Sequence, residues 1–374
     1  MMKLKKCFFI HMEQHNNPYH GNYRKTLAQY QALQEIFTVK LIYQGVSFSN
    51  KWLRLLNGSV IVPLWLGRQL WINPGSVVYY RYYPQYFMLH WILYFLRKRA
   101  LLFVEINTKN REEFKLTNKI LYFLNFLGEK IAYKAAAAVL PVTPELGDYV
   151  RSIEPHCRTR ALGNGYDPLA SDLTAAEISL DAELVESVRR GKGKTKFIFI
   201  FSEGHVWQGL DKIINIINEL EKSCLYIVGR KDRLGQMGIA AEQLPGDKFF
   251  LLGTRNFGEL KYLYNNVDFA FGSFAWERVK MKEAVPLKVR EYLYFGLPVI
   301  IGYNDPQLKG ALFIHNYQDM EKLRGFLAQP FDRESIRNYT KKYLSWRTIL
   351  TEMFTTEPTL MSVGPGTKDA RQGM

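Results

Sequence analysis

Residues 283–300 read EAVPLKVREYLYFGLPVI, a segment with a helix start, a helix stop and a strand behind it. Pro286 suits the first turn of a helix, because its missing N–H would be unpaired there anyway. Gly296 ends the helix and Pro298 marks the exit. Glu283 then falls in the loop ahead of the helix and Glu291 about one and a half turns inside it. The helix dipole favours an acid at the start but does not account for one as far in as Glu291. Between the two carboxylates, the N–H groups of Leu287 and Lys288 are predicted to open an anion site, and the Lys288 side chain adds a positive charge. The expected arrangement is a phosphate cradle flanked by two hydroxyl acceptors. A sugar nucleotide carries the matching parts: sugar hydroxyls, a diphosphate and a ribose.

Outward from this segment, strand-like and helix-like stretches alternate along the chain. The predicted strands of the first half are 7–12 (CFFIHM), 39–43, 77–83, 101–106 (LLFVEI) and 137–142. Helical spacing marks 22–36, 84–99, 113–134 and 144–153. Residues 168–194 break the pattern with polar, mixed-charge sequence ending in GKGK. Strands then resume at 196–201 (KFIFIF), 225–228, 249–252, 268–271 and 298–301, with helices at 210–220, 333–344 and 346–354. Repeated strand–helix–strand units imply parallel sheets, and continuous apolar strands imply sheets covered on both faces. The predicted class is α/β, with two Rossmann-like doubly wound domains facing a cleft. Ligands of such sheets bind outside the carboxyl ends of the strands. The expected organisation is a first domain over 1–165, a connection over 166–194 and a second domain over 195–330. C-terminal helices follow over 331–356, with a crossing back to the first domain left open. Residues 357–374, rich in Gly, Pro and polar residues, are expected to be a disordered tail.

Four segments in order carry a family resemblance. Glu283 and Glu291 form E-x7-E ahead of Gly296-Leu297-Pro298-Val299-Ile300. Residues 202–211 read SEGHVWQGLD, with a Trp-x-Gly-x-Asp core. Residues 164–167 read NGYD, and 252–255 read LGTR followed by Glu259-Leu260. Together, over roughly residues 3–350, they resemble retaining GT-B glycosyltransferases similar to family 4. The resemblance implies that Glu283 accepts hydrogen bonds from donor-sugar hydroxyls near the reacting carbon and that Glu291 binds the ribose. It implies that Pro286, Leu287 and Lys288 hold the diphosphate, with Gly204, His205 and Arg255 contributing to the donor site. Gly21 matches the small residue that lets the first loop approach the substrates. Asn107, after the strand LLFVEI, sits where members carry a side chain beside the transferred sugar, with Glu105 as a competing candidate. One departure stands out. Members place an Arg and a Lys after the first strand of the second domain to neutralise the leaving diphosphate, and here Ser202–Glu203 and Gln208 fall at those places. Stabilising a leaving group is often the largest catalytic contribution. Arg255, Lys288, Arg278 and Lys280 are the candidate replacements.

Composition narrows the rest. The 374 residues carry a formal charge of +15. Residues 1–165 hold 22 Lys/Arg against 9 Asp/Glu, a net of +13, so the second part is nearly neutral. A basic half suits an anionic membrane surface. No nucleic-acid-binding motif occurs, and nucleic acid is not an expected partner. Three dispersed cysteines give no disulfide framework or zinc spacing and fit a reducing compartment. His11, His15 and His20 lack the spacing of a metal site. No Asp-x-Asp triplet occurs, which argues for a metal-independent transferase. The N-terminal apolar run is too short for a signal peptide, and no stretch is long enough to span a bilayer. The helix over 91–99, WILYFLRKR, is a candidate interfacial element. The expected protein is cytoplasmic, associated with the inner face of the plasma membrane. It needs no cofactor and moves a sugar from a nucleotide-sugar donor to a glycan or lipid-linked acceptor in cell-surface polysaccharide synthesis. By the resemblance, retention comes from front-face attack, with the leaving phosphate taking the acceptor proton. The alternatives are a catalytically silent partner subunit and a nucleotide-sugar epimerase on the same fold.

Overall fold

The computed structural model describes residues 5–11, 21–43, 57–84, 86–109, 111, 119–169 and 180–356. The expected loop 12–20 with His15 and His20, the start of the predicted helix at 113–118 and the tail 357–374 lie outside the described residues. The chain divides into two compact units, residues 1–163 with 346–374, and residues 164–345.

In the first unit, β1 (Lys6–His11), β2 (Thr38–Tyr43), β3 (Ser76–Arg81), β4 (Ala100–Ile106) and β5 (Ala138–Pro141) pair in the order β2-β1-β3-β4-β5. Every pairing is parallel, with Phe9 opposite both Leu41 and Tyr79. Such a sheet is covered on both faces, and β4 is buried at all its residues. The order reverses between β1 and β3, which puts the switch point at the carboxyl ends of those strands. The helices are α1 (Gly21–Gln34), α2 (Val62–Ile72), α3 (Phe87–Phe95), α4 (Lys119–Ala135) and α5 (Pro144–Ile153). A turn of π-helix, Asn57–Ile61, leads into α2. Thr143 caps α5 by accepting from the Leu146 N–H at 3.2 Å, with Pro144 at its first position.

In the second unit, β6 (Thr195–Ile200), β7 (Ser223–Val228), β8 (Phe249–Gly253), β9 (Phe269–Phe271), β10 (Val299–Ile301) and β11 (Ile314–Asn316) form a parallel sheet in the order β11-β10-β9-β6-β7-β8. Its switch point lies between β6 and β9. The helices are α6 (Ala182–Arg190), α7 (Leu210–Glu219), α8 (Phe257–Asn266), α9 (Leu287–Tyr294), α10 (Met320–Leu327) and α11 (Arg333–Tyr343). Helix α6 falls in the stretch read from sequence as a connection. Asp181 caps it, and Leu184 and Val188 enter the core of this unit.

The last helix, α12 (Trp346–Thr355), belongs to the first unit. Trp346, Ile349, Leu350, Met353 and Phe354 recur at helical spacing and are buried in the first unit's core with Ala28, Ala32 and Leu33 of α1. The Phe354 ring meets Phe37 at 5.0 Å and Phe103 at 5.2 Å. Helix α11 stays with the second unit, where Arg333 donates to the Tyr264 and Val267 carbonyls.

Candidate functional site

The switch point of the second unit joins the loop after β6 to the loop after β9. Phe274 N–H donates to the Gln208 carbonyl at 2.9 Å, and Ala275 N–H to the Trp207 carbonyl at 3.0 Å. Gly209 makes this approach possible. Its φ is +68°, and a Cβ there would lie 2.9 Å from the Phe274 backbone. Asp211 of the Trp-x-Gly-x-Asp core accepts from both Arg278 Nη atoms, at 3.1 and 2.6 Å, tying α7 to the β9 loop. The loop then carries Lys280 at φ +55°, the only left-handed non-glycine among the described residues.

Residues 281–286 are pinned to the segment after β10. Ala284 N–H donates to the Asn304 carbonyl at 3.1 Å, and Asn304 N–H to the Lys282 carbonyl at 3.0 Å. Asn304 also donates to Glu283 Oε1 at 3.3 Å. Asn164, from the NGYD segment, holds the same loop by donating to the Val285 carbonyl at 2.5 Å. Pro286 is the N-cap of α9 rather than its first helical residue, and no side chain caps the helix there. Leu287 and Lys288 thus begin α9 at the carboxyl end of the sheet.

Glu291 lies one turn further along α9. Tyr264 donates to its Oε1 at 2.8 Å and Lys288 Nζ to its Oε2 at 2.8 Å. Burial, then the Glu291 charge, pushes the Tyr264 phenol well above its usual range, so it stays protonated and donates. Beside Glu291, Arg290 is fully buried and forms a two-pronged ion pair with Asp305, while its Nη2 also donates to Gln307 Oε1 at 2.7 Å. That amide oxygen accepts the Asn164 N–H at 2.9 Å. Arg290, Asp305, Gln307 and Asn164 therefore fix the roll of α9. An arginine on the helix between Lys288 and Glu291 was the available sequence signal, but its partner lies fifteen residues on.

Three of the four cations proposed from sequence are committed to carboxylates. Arg255 pairs with Asp181 and Glu259 and is nearly buried. Arg278 pairs with Asp211 and Lys288 with Glu291. His205 stacks on Trp207 with ring centroids 3.9 Å apart. Burial, with Glu203 opposing and Arg233 adding to it, holds the His205 imidazole below its usual range. Sequence reasoning missed Arg233. A Cβ on Gly204 (φ +68°) would lie 2.6 Å from the Arg233 carbonyl, so this arginine's backbone abuts the loop after β6. With its oxygen toward Arg233, the Gln236 amide accepts from Nη1 at 2.8 Å and donates to the Glu203 carbonyl at 3.1 Å.

In the first unit, Gly21 is the exposed first residue of α1. Asn107 follows β4 and is partly buried. Its Oδ1 accepts from Lys25 Nζ at 2.9 Å and its Nδ2 donates to Glu105 Oε1 at 3.0 Å. Glu105, the competing candidate, is fully buried and occupied on both oxygens. Lys25 reaches Oε1 at 2.7 Å, while Gln29 and Tyr79 donate to Oε2 at 2.8 and 2.6 Å. Burial alone would raise this carboxyl, but Lys25, Arg81 and the hydrogen bonds hold it well below the usual range. Glu105 is thus a buried anchor that orients Lys25 and Asn107. At the switch point of this unit, His11 Nε2 lies 3.1 Å from Arg81 and 3.3 Å from the Tyr83 hydroxyl. Burial and the Arg81 charge keep His11 neutral.

No protein-family model matches the chain, and no curated protein matches it in sequence. Solved structures do match in fold. An E. coli structure described as trehalose-6-phosphate bound with UDP-2-fluoro glucose is similar over 96% of this chain and 99% of its own, at 12% identity and TM-score 0.63. An apo structure of OtsA is similar over 96% of this chain and 100% of its own, at 11% identity and TM-score 0.59. Anabaena HepE in complex with UDP and glucose covers 95% and 100%, at 12% identity and TM-score 0.55. The chain has the fold of these structures, with two Rossmann-like α/β units, and at such identities the likeness establishes the fold alone.

Proposed function

We propose that the protein is a retaining glycosyltransferase that takes a nucleotide-sugar donor in its second unit and passes the sugar to a glycan or lipid-linked acceptor. One observation carries this reading. The β6 and β9 loops are hydrogen-bonded at the switch point, and α9 starts from the second of them with Glu283 just ahead and Glu291 one turn in. Dinucleotide-fold sheets bind their ligands at that place. The α9 N-terminus suits a diphosphate, and the oriented Glu291 carboxylate suits ribose hydroxyls. Glu283 is assigned to the donor sugar. Arg233, held beside the loop after β6, supplies charge to the leaving diphosphate where the resembling family uses an Arg and a Lys. The two GT-B neighbours carrying UDP or a UDP-sugar analogue support the same ligand class.

A thermal-shift screen against UDP, GDP, ADP and their sugars tests the reading. A ligand that binds only the folded state stabilises it by about 2.7 kcal/mol at a hundredfold excess over Kd. One nucleoside diphosphate series is expected to raise the melting temperature, and Arg233→Ala to reduce turnover more than donor affinity. A screen in which no nucleotide shifts the melt would overturn it.

A second reading, a catalytically silent binding subunit, is favoured by the neutralised state of Arg255, Arg278 and Lys288. Donor binding with neither hydrolysis nor transfer would select it.

A further inference from the structure

The outward face of α2, α3 and α4 in the first unit lacks the polar character that a helix layer ordinarily shows to water. On and just before α2, Ile61, Leu64, Arg68 and Trp71 recur at helical spacing, and Ile61, Leu64 and Trp71 are each more than half exposed. On α3, FMLHWILYF, the buried side is Leu89, His90 and Leu93, while Met88, Trp91 and Phe95 face outward, Phe95 at 71% exposure. The nine residues of α3 include no charged side chain among them. On α4, Phe123, Phe126 and Leu127 are exposed. These stripes adjoin. A Cβ on Gly67 of α2 would lie 3.3 Å from Ile92 Cγ2 of α3, and Trp91 and Phe126 line one groove of about 530 Å³ between α3 and α4.

Helices α2 and α3 and the turn that ends α3 carry Arg68, Arg97, Lys98 and Arg99 and no Asp or Glu. Residues 36–104 contain no Asp or Glu and eight Lys or Arg. Several of the cations lie on the aromatic rings. Arg99 sits 3.9 Å over Trp71, Arg97 4.0 Å over Tyr94 and Arg111 4.6 Å over Phe126. Glu129 on α4 is buried and paired with Arg111. A second copy of the chain that met this face with the same face would oppose it with like charge.

We infer that this face rests on an anionic lipid bilayer. Trp71, Trp91, Phe95, Phe123 and Phe126 enter the headgroup–acyl boundary, and Arg97, Lys98 and Arg99 meet the phosphates. No helix among the described residues is long and apolar enough to cross a membrane, so the contact is peripheral. The surface is larger than the single helix over 91–99 singled out from sequence, and the inference does not rest on the transferase reading.

Co-sedimentation of the full chain with phosphatidylcholine vesicles, with and without about one third phosphatidylglycerol, tests it at low and high salt. The anionic vesicles should bind at least about tenfold more strongly, and salt should weaken that binding. The Phe95→Ser/Phe123→Ser variant should lose about tenfold in binding with an unchanged melting curve. The Arg97→Gln/Lys98→Gln variant should lose binding to anionic vesicles and most of its salt dependence. Equal binding to both vesicle types, no pelleting, or wild-type binding by both variants would overturn the inference. So would a lipid-free dimer that the Phe95→Ser/Phe123→Ser variant abolishes, which would name a second copy as the occupant.

Discussion

Glu105 and Glu291 are buried carboxylates in two units of similar topology, and they differ in what surrounds them. Glu105 has no exposed side-chain surface, and its two oxygens take Lys25, Asn107, Gln29 and Tyr79. Its main counter-charge, Lys25, is only 2% exposed. Glu291 keeps 10% of its side chain exposed, and its counter-charge Lys288 keeps 38%. A saturated carboxylate with a buried partner holds structure. One oriented by a phenol and a solvent-facing lysine suits a ligand. Residue type is the same in the two cases, with Glu105 near the end of strand β4 and Glu291 one turn into helix α9, and the surroundings separate their roles.

The sharpest way to break this contrast is to remove each acid. Glu105→Leu should destabilise the first unit by about 3–5 kcal/mol, because Lys25 loses a buried carboxylate and Gln29, Tyr79 and Asn107 lose their acceptor. Glu291→Ala should cost less than about 2 kcal/mol, because Lys288 turns to water and Tyr264 loses one hydrogen bond. Urea unfolding of both variants measures the difference, and adding Lys25→Met to Glu105→Leu should recover much of the loss. Equal losses in the two single variants would erase the distinction.

A smaller effect separates the units by pH. Burial pushes His90 down to about 3 and holds His11 well below its usual range. A histidine whose folded pKa is lowered adds its full stability above the unfolded value of about 6.5 and loses it as pH falls from there. Each such group costs about 1.4 kcal/mol per pH unit within that window. Glu105, also lowered, acts in the same direction but only below about pH 4.3. Hydrogen exchange should therefore show β3 and β4 losing protection between about pH 6.5 and 4.5 before β6 and β7 do. In His90→Phe that loss should be shallower. Simultaneous loss in both sheets would show that the buried histidines do not set the acid limit.

What could be read from sequence follows from how local each signal is. Helix α5 was legible to the residue, because Thr143, Pro144 and an amphipathic run lie together in the chain. Strands β4 and β6 were legible as apolar runs closed by polar residues. Helix α2, VPLWLGRQLWI, was not, because its outward side is apolar too and leaves no polar stripe to mark a period. Strand β11 has three residues, too few to show alternation. At the site, Glu283, Glu291, Pro286 and Lys288 were legible because one helix start carries them. Tyr264, Arg233 and the Arg290–Asp305 pair were not, because their roles come from segments that meet only in the folded sheet. The ion pairs of Arg255 and Arg278 depend likewise on Asp181 and Asp211, more than sixty residues away in each case.

The central claim is that the acids flanking the start of α9 hold a nucleotide sugar. Calorimetric titration of the nucleotide sugar selected by the thermal screen, on the intact chain and on Glu291→Ala and Glu283→Ala, tests it most directly. Glu291→Ala should weaken binding about tenfold or more while the protein stays folded, and Glu283→Ala should lower turnover more than affinity. Wild-type affinity and turnover in both variants would contradict the account.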